Sequence, residues 1–233
     1  MCGRFTLRTP LTVLSQQFLF ELGGLPRDDW ATPRDNICPT QDVAVVRLAA
    51  VGGPRELAML HWGLIPSWAK DKKIASSMIN ARCETVAEKP AFRTALARRR
   101  CLILADGFYE WKKEGKQKLP FLFQAKEGRP FAFAGLWERW RCCGPERKSP
   151  HDSMPPLESC TIVTTEANEL CRPIHERMPV ILDPADYGLW LDPAVTDPQR
   201  LLPLLAAYPA EDMSAIACTQ GVPHRSSPSP SLL

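Results

Sequence analysis

Eight short β-rich stretches, at 43–48, 57–64, 74–79, 101–105, 120–124, 131–135, 160–164 and 180–182, constrain the fold of this chain most. Few long helical patterns separate them, so a doubly wound parallel sheet is a poor fit. The spacing predicts an α+β fold: one domain with a mostly antiparallel sheet, or an open barrel-like β core, and peripheral helices. The first helix is expected at 10–22, with Thr9 as N-cap, Pro10 at the first helical position, and Leu11, Leu14, Phe18 and Leu22 on one face. Further helices are expected at 90–99 behind Pro90, at 184–191 behind an Asp183 cap, and near 198–206, where Pro203 interrupts the pattern. Residues 23–40 read as a surface connection and 141–156 as a flexible insertion. The domain is expected to span 1–212, leaving 213–233 as a divergent, disordered tail.

With 233 residues, 45% hydrophobic, the chain can bury a substantial core. It carries no run of eighteen apolar residues and no secretory pattern at its start, so no membrane span is expected and a cytoplasmic address is. Nine cysteines at irregular spacing argue against a disulfide framework and for free thiols. Neither Cys142-Cys143 with His151 nor Cys160 and Cys171 with His175 has the spacing of a zinc site, so no metal and no cofactor is expected. Gly-rich phosphate loops and a GxSxG elbow are absent. A net charge of +3 does not announce a nucleic-acid binder, but residues 98–118 hold seven Lys/Arg against three Asp/Glu. Lys112, Lys113, Lys116 and Lys118 within that window read equally well as a solvated hairpin turn.

Position alone sets Cys2 apart. Once Met1 is removed, its α-amine and β-thiol form a 1,2-aminothiol, with reference pKa values of about 7.7–8.0 and about 8.5. An aldehyde condenses with the amine, and the thiol then closes on the imine carbon to give a thiazolidine. Three strand-end segments supply the other chemistry: an amide at Asn80, a carboxylate between aromatics at Glu110, and an imidazole at His175. Each alone fits a turn residue, a solvated acid or a structural histidine. Together with Cys2 they supply acid, base and amide donor.

Six ordered motifs complete the pattern: Met1-Cys2-Gly3-Arg4-Phe5, Asn36-Ile37-Cys38-Pro39, Trp62-Gly63-Leu64-Ile65-Pro66-Ser67-Trp68, Ile79-Asn80-Ala81-Arg82-Cys83-Glu84-Thr85, Gly107-Phe108-Tyr109-Glu110-Trp111 and Ile174-His175-Glu176-Arg177-Met178-Pro179. They closely resemble the SOS-response-associated peptidase family, from residue 1 to about residue 190. The resemblance implies a single-turnover reaction in which the mature N-terminal cysteine crosslinks, as a thiazolidine, to the ring-opened aldehyde of an abasic site in single-stranded DNA. It implies self-processing removal of Met1, a lyase-type DNA–protein crosslinking activity, and catalytic roles for Cys2, Asn80, Glu110 and His175. Asn80 would orient the Cys2 amine and the opened sugar, Glu110 would act as general acid/base, and His175 would assist proton transfer at the imine. Arg4, Arg82 and Arg177 would hold phosphate and Trp68 and Trp111 would stack on bases, whereas Trp62 is read as core. The partner implied is single-stranded DNA containing abasic sites, bound by a monomer that is nucleoid-associated if prokaryotic. The closing segment from Met213 departs from the family pattern, which bears on the last strand more than on the site. A thiol peptidase acting on proteins and a non-covalent binder of single-stranded or modified-base DNA are the alternatives.

Overall fold

Period-2 burial along the strands, rather than any long helix, organises the computed structural model, which describes residues 2–21, 33–141, 155–219 and 221–222. Strand β6 (Arg100–Ala105) is buried at every position because both its faces are covered. Cys101, Ile103 and Ala105 face one cluster with Phe5, Phe108, Phe123 and Phe133, while Leu102 and Leu104 face a second cluster with residues of the helices.

Twelve strands are described, in two sheets: β1 (Phe5–Leu7), β2 (Arg34–Ile37), β3 (Asp42–Leu48), β4 (Arg55–Trp62), β5 (Asn80–Arg82), β6, β7 (Gly107–Glu114), β8 (Gln117–Ala125), β9 (Phe131–Trp140), β10 (Leu157–Glu166), β11 (Arg177–Pro179) and β12 (Met213–Ala217). The five-stranded sheet has the order β12-β8-β7-β1-β2 and is antiparallel throughout. In the seven-stranded sheet, β10, β4, β3, β6 and β9 pair in sequence and β9 pairs back onto β10, which closes a barrel-like ring. Strands β5 and β11 extend β10 beyond that ring. The expected α+β domain with a barrel-like β core is therefore present. The departures from antiparallel pairing are β4 and β5, both parallel to β10.

Four short α-helices lie outside the sheets: α1 (Leu11–Phe18), α2 (Arg93–Arg98), α3 (Tyr187–Leu191) and α4 (Pro198–Leu201). No helix among the described residues is long and apolar enough to cross a membrane. Helix α1 ends earlier than its apolar pattern suggests because Leu19 turns left-handed at φ 57°. Thr9 does not cap it: Pro10 holds the cap position, and the Thr9 hydroxyl instead donates to Asp106. Asp183 caps as expected, accepting from the Ala185 N–H at 2.8 Å, although a 3-10 turn (Pro184–Asp186) precedes α3.

Four other expectations are corrected. Residues 74–77 lie in a 3-10 helix (Lys72–Ser77) and 78–79 in the bend after it, not in a strand. Ser76 and Ser77 hydroxyls donate back to the Lys73 and Ile74 carbonyls at 3.1 and 2.8 Å, and Ile74 and Ala75 pack on a small cluster with Ile65, Ala69 and Trp140. The strand near 180–182 lies earlier, at β11, because the chain crosses there from β10 to β9 and keeps only a bridge at Ile181. Within the connection at 23–40, Arg34–Ile37 forms edge strand β2 against β1. Residues 213–217, read as the start of a tail, pair with β8 over five positions as β12, seated by the buried Met213. Met1, Leu22, Cys142, Cys143 and His151, residues 142–154 of the insertion and 223–233 of the tail lie outside the described residues.

Candidate active site

Strand β1 delivers the amino-terminal residues to the site. It lies between β2 and β7, and its Phe5 ring meets Trp62 and Phe133 edge-on at 5.1 and 5.6 Å. Phe5 pairs with Phe108, and the Tyr109 N–H donates to the Arg4 carbonyl at 2.9 Å. Residues 2–4 thus run beside Tyr109 and Glu110. The buried Asp106 carboxylate anchors the other end of β1, accepting from the Thr6 hydroxyl at 2.5 Å, the Arg8 N–H at 2.5 Å, and the N–H and hydroxyl of Thr9 at 3.0 and 3.2 Å.

Asn80 opens β5 and is positioned from both sides. The Ile79 carbonyl accepts from the Trp62 indole and from the Ile162 N–H, and Asn80 pairs in register with Ile162. Its Nδ2 donates to the Cys2 carbonyl at 2.9 Å, while its buried Oδ1 has no hydrogen-bond partner among the described residues. That carbonyl oxygen is an acceptor waiting for an N–H or O–H donor.

Cys2 is fully buried, and burial, reinforced by the Glu110 charge, pushes its thiol far above the usual range. Glu110 is 4% exposed, and burial raises its pKa to about 7 against the opposing charge of the amino terminus and the Trp111 N–H. A carboxyl group poised there exchanges protons in either direction at neutral pH. In the neutral imidazole, His175 Nδ1 either accepts from the Arg177 N–H at 3.0 Å or donates to the Arg177 carbonyl at 3.1 Å, according to the tautomer. Burial lowers its pKa, aided by the amino-terminal charge, which favours that neutral form. Arg4, Glu110, Trp111 and His175 line one cavity of about 670 Å³, together with Lys113 and Lys118.

The proposed DNA contacts divide. Arg4 stacks over Trp111 at 5.6 Å, so these two share the cavity wall. Arg82 is exposed on β5 and Trp68 is 60% exposed after β4, but neither lines the cavity. Arg177 is 9% exposed, bound bidentately by Glu84 at 2.7 and 3.0 Å, and also donates to the Thr164 carbonyl at 2.7 Å. This pair holds Glu84 below the usual carboxylate range. The basic window at 98–118 divides as well. Arg99 pairs with Glu138 at 2.6 Å, and buried Arg100 donates to the carbonyls of Leu96, Ala97, Trp190 and Asp192. Trp62 is core, as read.

Sequence reading missed Asp106 and Glu84. Asp106 immediately precedes the motif that carries Glu110 and Glu84 lies within the one that carries Asn80, and an acid near each strand end was the available signal. Among the described residues no group of three or more His, Cys, Asp and Glu side chains is placed to hold a metal ion.

The chain is similar to several known proteins. Abasic site processing protein YoqW of Bacillus subtilis (strain 168) is 44% identical over all of this chain and 99% of its own length. Abasic site processing protein HMCES of Pongo abelii is 30% identical over 92% of this chain and 70% of its own length. A crystal structure from Bacteroides thetaiotaomicron, 24% identical, superposes with a TM-score of 0.79 over 93% of this chain and 91% of that one. Another, from Bordetella bronchiseptica, is 28% identical, with a TM-score of 0.72 over 93% and 99%. Residues 1–224 match the family described as SOS response associated peptidase (SRAP), and the chain belongs to that family.

Proposed function

We propose that this protein processes abasic sites in DNA by trapping the ring-opened sugar aldehyde as a thiazolidine on Cys2, after Met1 has been removed. The names of its relatives support the substrate class. The observation that carries the chemistry is the Asn80 amide fixed on the Cys2 carbonyl at 2.9 Å beside a buried carboxyl group with a pKa of about 7.

Hydrolysis of the Met1–Cys2 amide frees the Cys2 amine, with Glu110 taking a proton from water and returning it to the leaving amine. The amine nitrogen then attacks the aldehyde carbon. The aldehyde oxygen departs as water, assisted by Glu110 as acid and by His175. The thiol sulfur closes on the imine carbon and its proton ends on the ring nitrogen, so one water is lost overall. Asn80 holds the nucleophile in place, which is where an effective-molarity gain arises. Single-stranded DNA fits as the substrate because the cavity offers Trp111 for stacking and Arg4 for phosphate.

A thiol peptidase acting on other proteins has less support, since its thiol would have to attack an external peptide and the Cys2 thiol is fully buried, whereas in ring closure it meets an imine on its own residue. Intact-mass spectrometry before and after mixing with an abasic oligonucleotide tests the proposal. The expected masses are the chain without Met1, then that chain plus one oligonucleotide less one water. Cys2→Ala should abolish the adduct. Wild-type adduct yield from that variant would sink the thiazolidine, and DNA binding without any mass change would favour a non-covalent binder.

A further inference from the structure

The β7–β8 hairpin sorts its lysines by strand period. In its register Trp111 faces Pro120, Lys112 faces Leu119, Lys113 faces Lys118 and Glu114 faces Gln117, with Gly115 at φ +62° opening the two-residue turn. Directly opposed residues share a face, so Trp111, Lys113, Lys118 and Pro120 form one surface and Lys112 and Glu114 lie on the other. The cavity lining agrees independently: Trp111, Lys113, Lys118 and Pro120 all line it, and Lys112 does not. Lys112 instead pairs with Glu114 at 2.9 Å.

Two ammonium groups directly opposite each other disfavour the hairpin unless an anion lies between them. Lys113 and Lys118 are exposed, and neither is ion-paired among the described residues. Arg4 adds a third positive group to the same cavity, against Glu110, which is half neutralised near pH 7. A cross-strand Cβ separation of about 5 Å lets both ammonium groups converge on one phosphate.

We infer that Lys113 and Lys118 form a phosphate-binding subsite for the phosphodiester of the DNA strand that carries the lesion. This deepens the proposed function and rests on it for the identity of the anion. The subsite holds the strand so that its sugar enters the cavity beside Glu110 and His175, and it takes no part in the bond changes at Cys2.

Fluorescence anisotropy with a labelled, lesion-free oligothymidylate tests the subsite without any adduct. K113Q/K118Q should bind about tenfold more weakly at about 0.1 M salt, with a log–log salt slope shallower by about one. K112Q, on the other face, should bind as the wild type does. An unchanged double variant, or an equal loss in K112Q, would overturn the inference. Adduct kinetics separate it from the parent proposal. With abasic oligonucleotide the double variant should react about tenfold more slowly, and with glycolaldehyde, which has no phosphate, at the wild-type rate. Slowing with glycolaldehyde as well would place the lysines in the chemistry and overturn the subsite. If wild-type protein forms no adduct with either aldehyde, the trapping reading falls, while the anisotropy result still decides the lysine pair.

Discussion

At Glu110 one carboxyl group links stability to chemistry. It sits at 4% exposure with its pKa raised from 4.5 to about 7, chiefly by burial. The folded protein therefore binds this proton more tightly than the unfolded chain does. The stabilisation is fully present below about pH 4.5 and is lost as pH rises through about 7, on the order of 3 kcal/mol in all. Glu110→Gln, which keeps the shape and removes the titration, should match the wild type in thermal unfolding near pH 4.5. Above pH 7 it should melt at higher temperature, by an increment that levels off as ionisation completes. The same variant should slow adduct formation by about 10² to 10⁴, the range of a lost general acid/base. A stability difference that does not vary with pH would refute the buried-carboxyl account, whatever happened to the rate. In sequence Glu110 stands out only in company with Cys2, Asn80 and His175, since alone it fits a solvated acid, which its burial within β7 rules out. Its protonation is not legible there, because burial and neighbouring charge oppose each other and only packing sets the balance.

Among the elements, β1 carries the site although it is only three residues long. Such a strand has little pairing of its own, so Asp106 does for it what length would otherwise do. Gly107 lets it approach: an added Cβ would fall 3.0 Å from the Thr6 hydroxyl and 3.1 Å from the Phe123 carbonyl. Asp106→Ala should leave two N–H groups and two hydroxyls without their acceptor and cost about 2–4 kcal/mol. It should also raise amide exchange over residues 5–9 and lower adduct yield with Cys2, Asn80, Glu110 and His175 all intact. Asp106→Asn, which retains one acceptor oxygen, should recover part of both. Full adduct yield and unchanged exchange in Asp106→Ala would show that β1 needs no such anchor. Here local pattern misleads in a particular way. The apolar spacing of 74–79 suits a strand, yet serine back-bonding turns most of it into a 3-10 helix, and β1 and β2 are too short to show a period at all.

For the whole molecule, the class of fold followed from many short strands and few helices, whereas the closure did not, because pairing between distant strands leaves no mark on local composition. The return of β9 onto β10, and the hand-over along β10 from β4 to β5, are contacts across long sequence separations. The end of the chain shows the same thing. Met213 begins a segment with little strand signal, yet β12 forms the outer edge of the five-stranded sheet. From there a continuous path leads to the site. The Asn168 amide lies 3.3 Å from the Met213 sulfur and donates to the Tyr208 carbonyl at 2.7 Å, its Oδ1 accepts from the Cys171 N–H, and the Cys171 carbonyl accepts from the His175 N–H at 2.9 Å. Past β12, the Cys218 N–H donates to the Pro120 carbonyl at 2.8 Å, and Gly221 and Val222 line the cavity together with hairpin residues. A chain ending at Asp212 therefore loses its edge strand, a buried methionine and one support of the His175 turn together. Its melting temperature should fall by about 10 °C for a loss of a few kcal/mol at this size. The bared edge of β8 should promote self-association at high protein concentration. Its adduct yield with abasic DNA should drop even below the melting transition, because the His175 turn is then held by fewer contacts. Melting within a degree or two of the full chain, with full adduct yield, would mean that the sheet and the site are complete without β12.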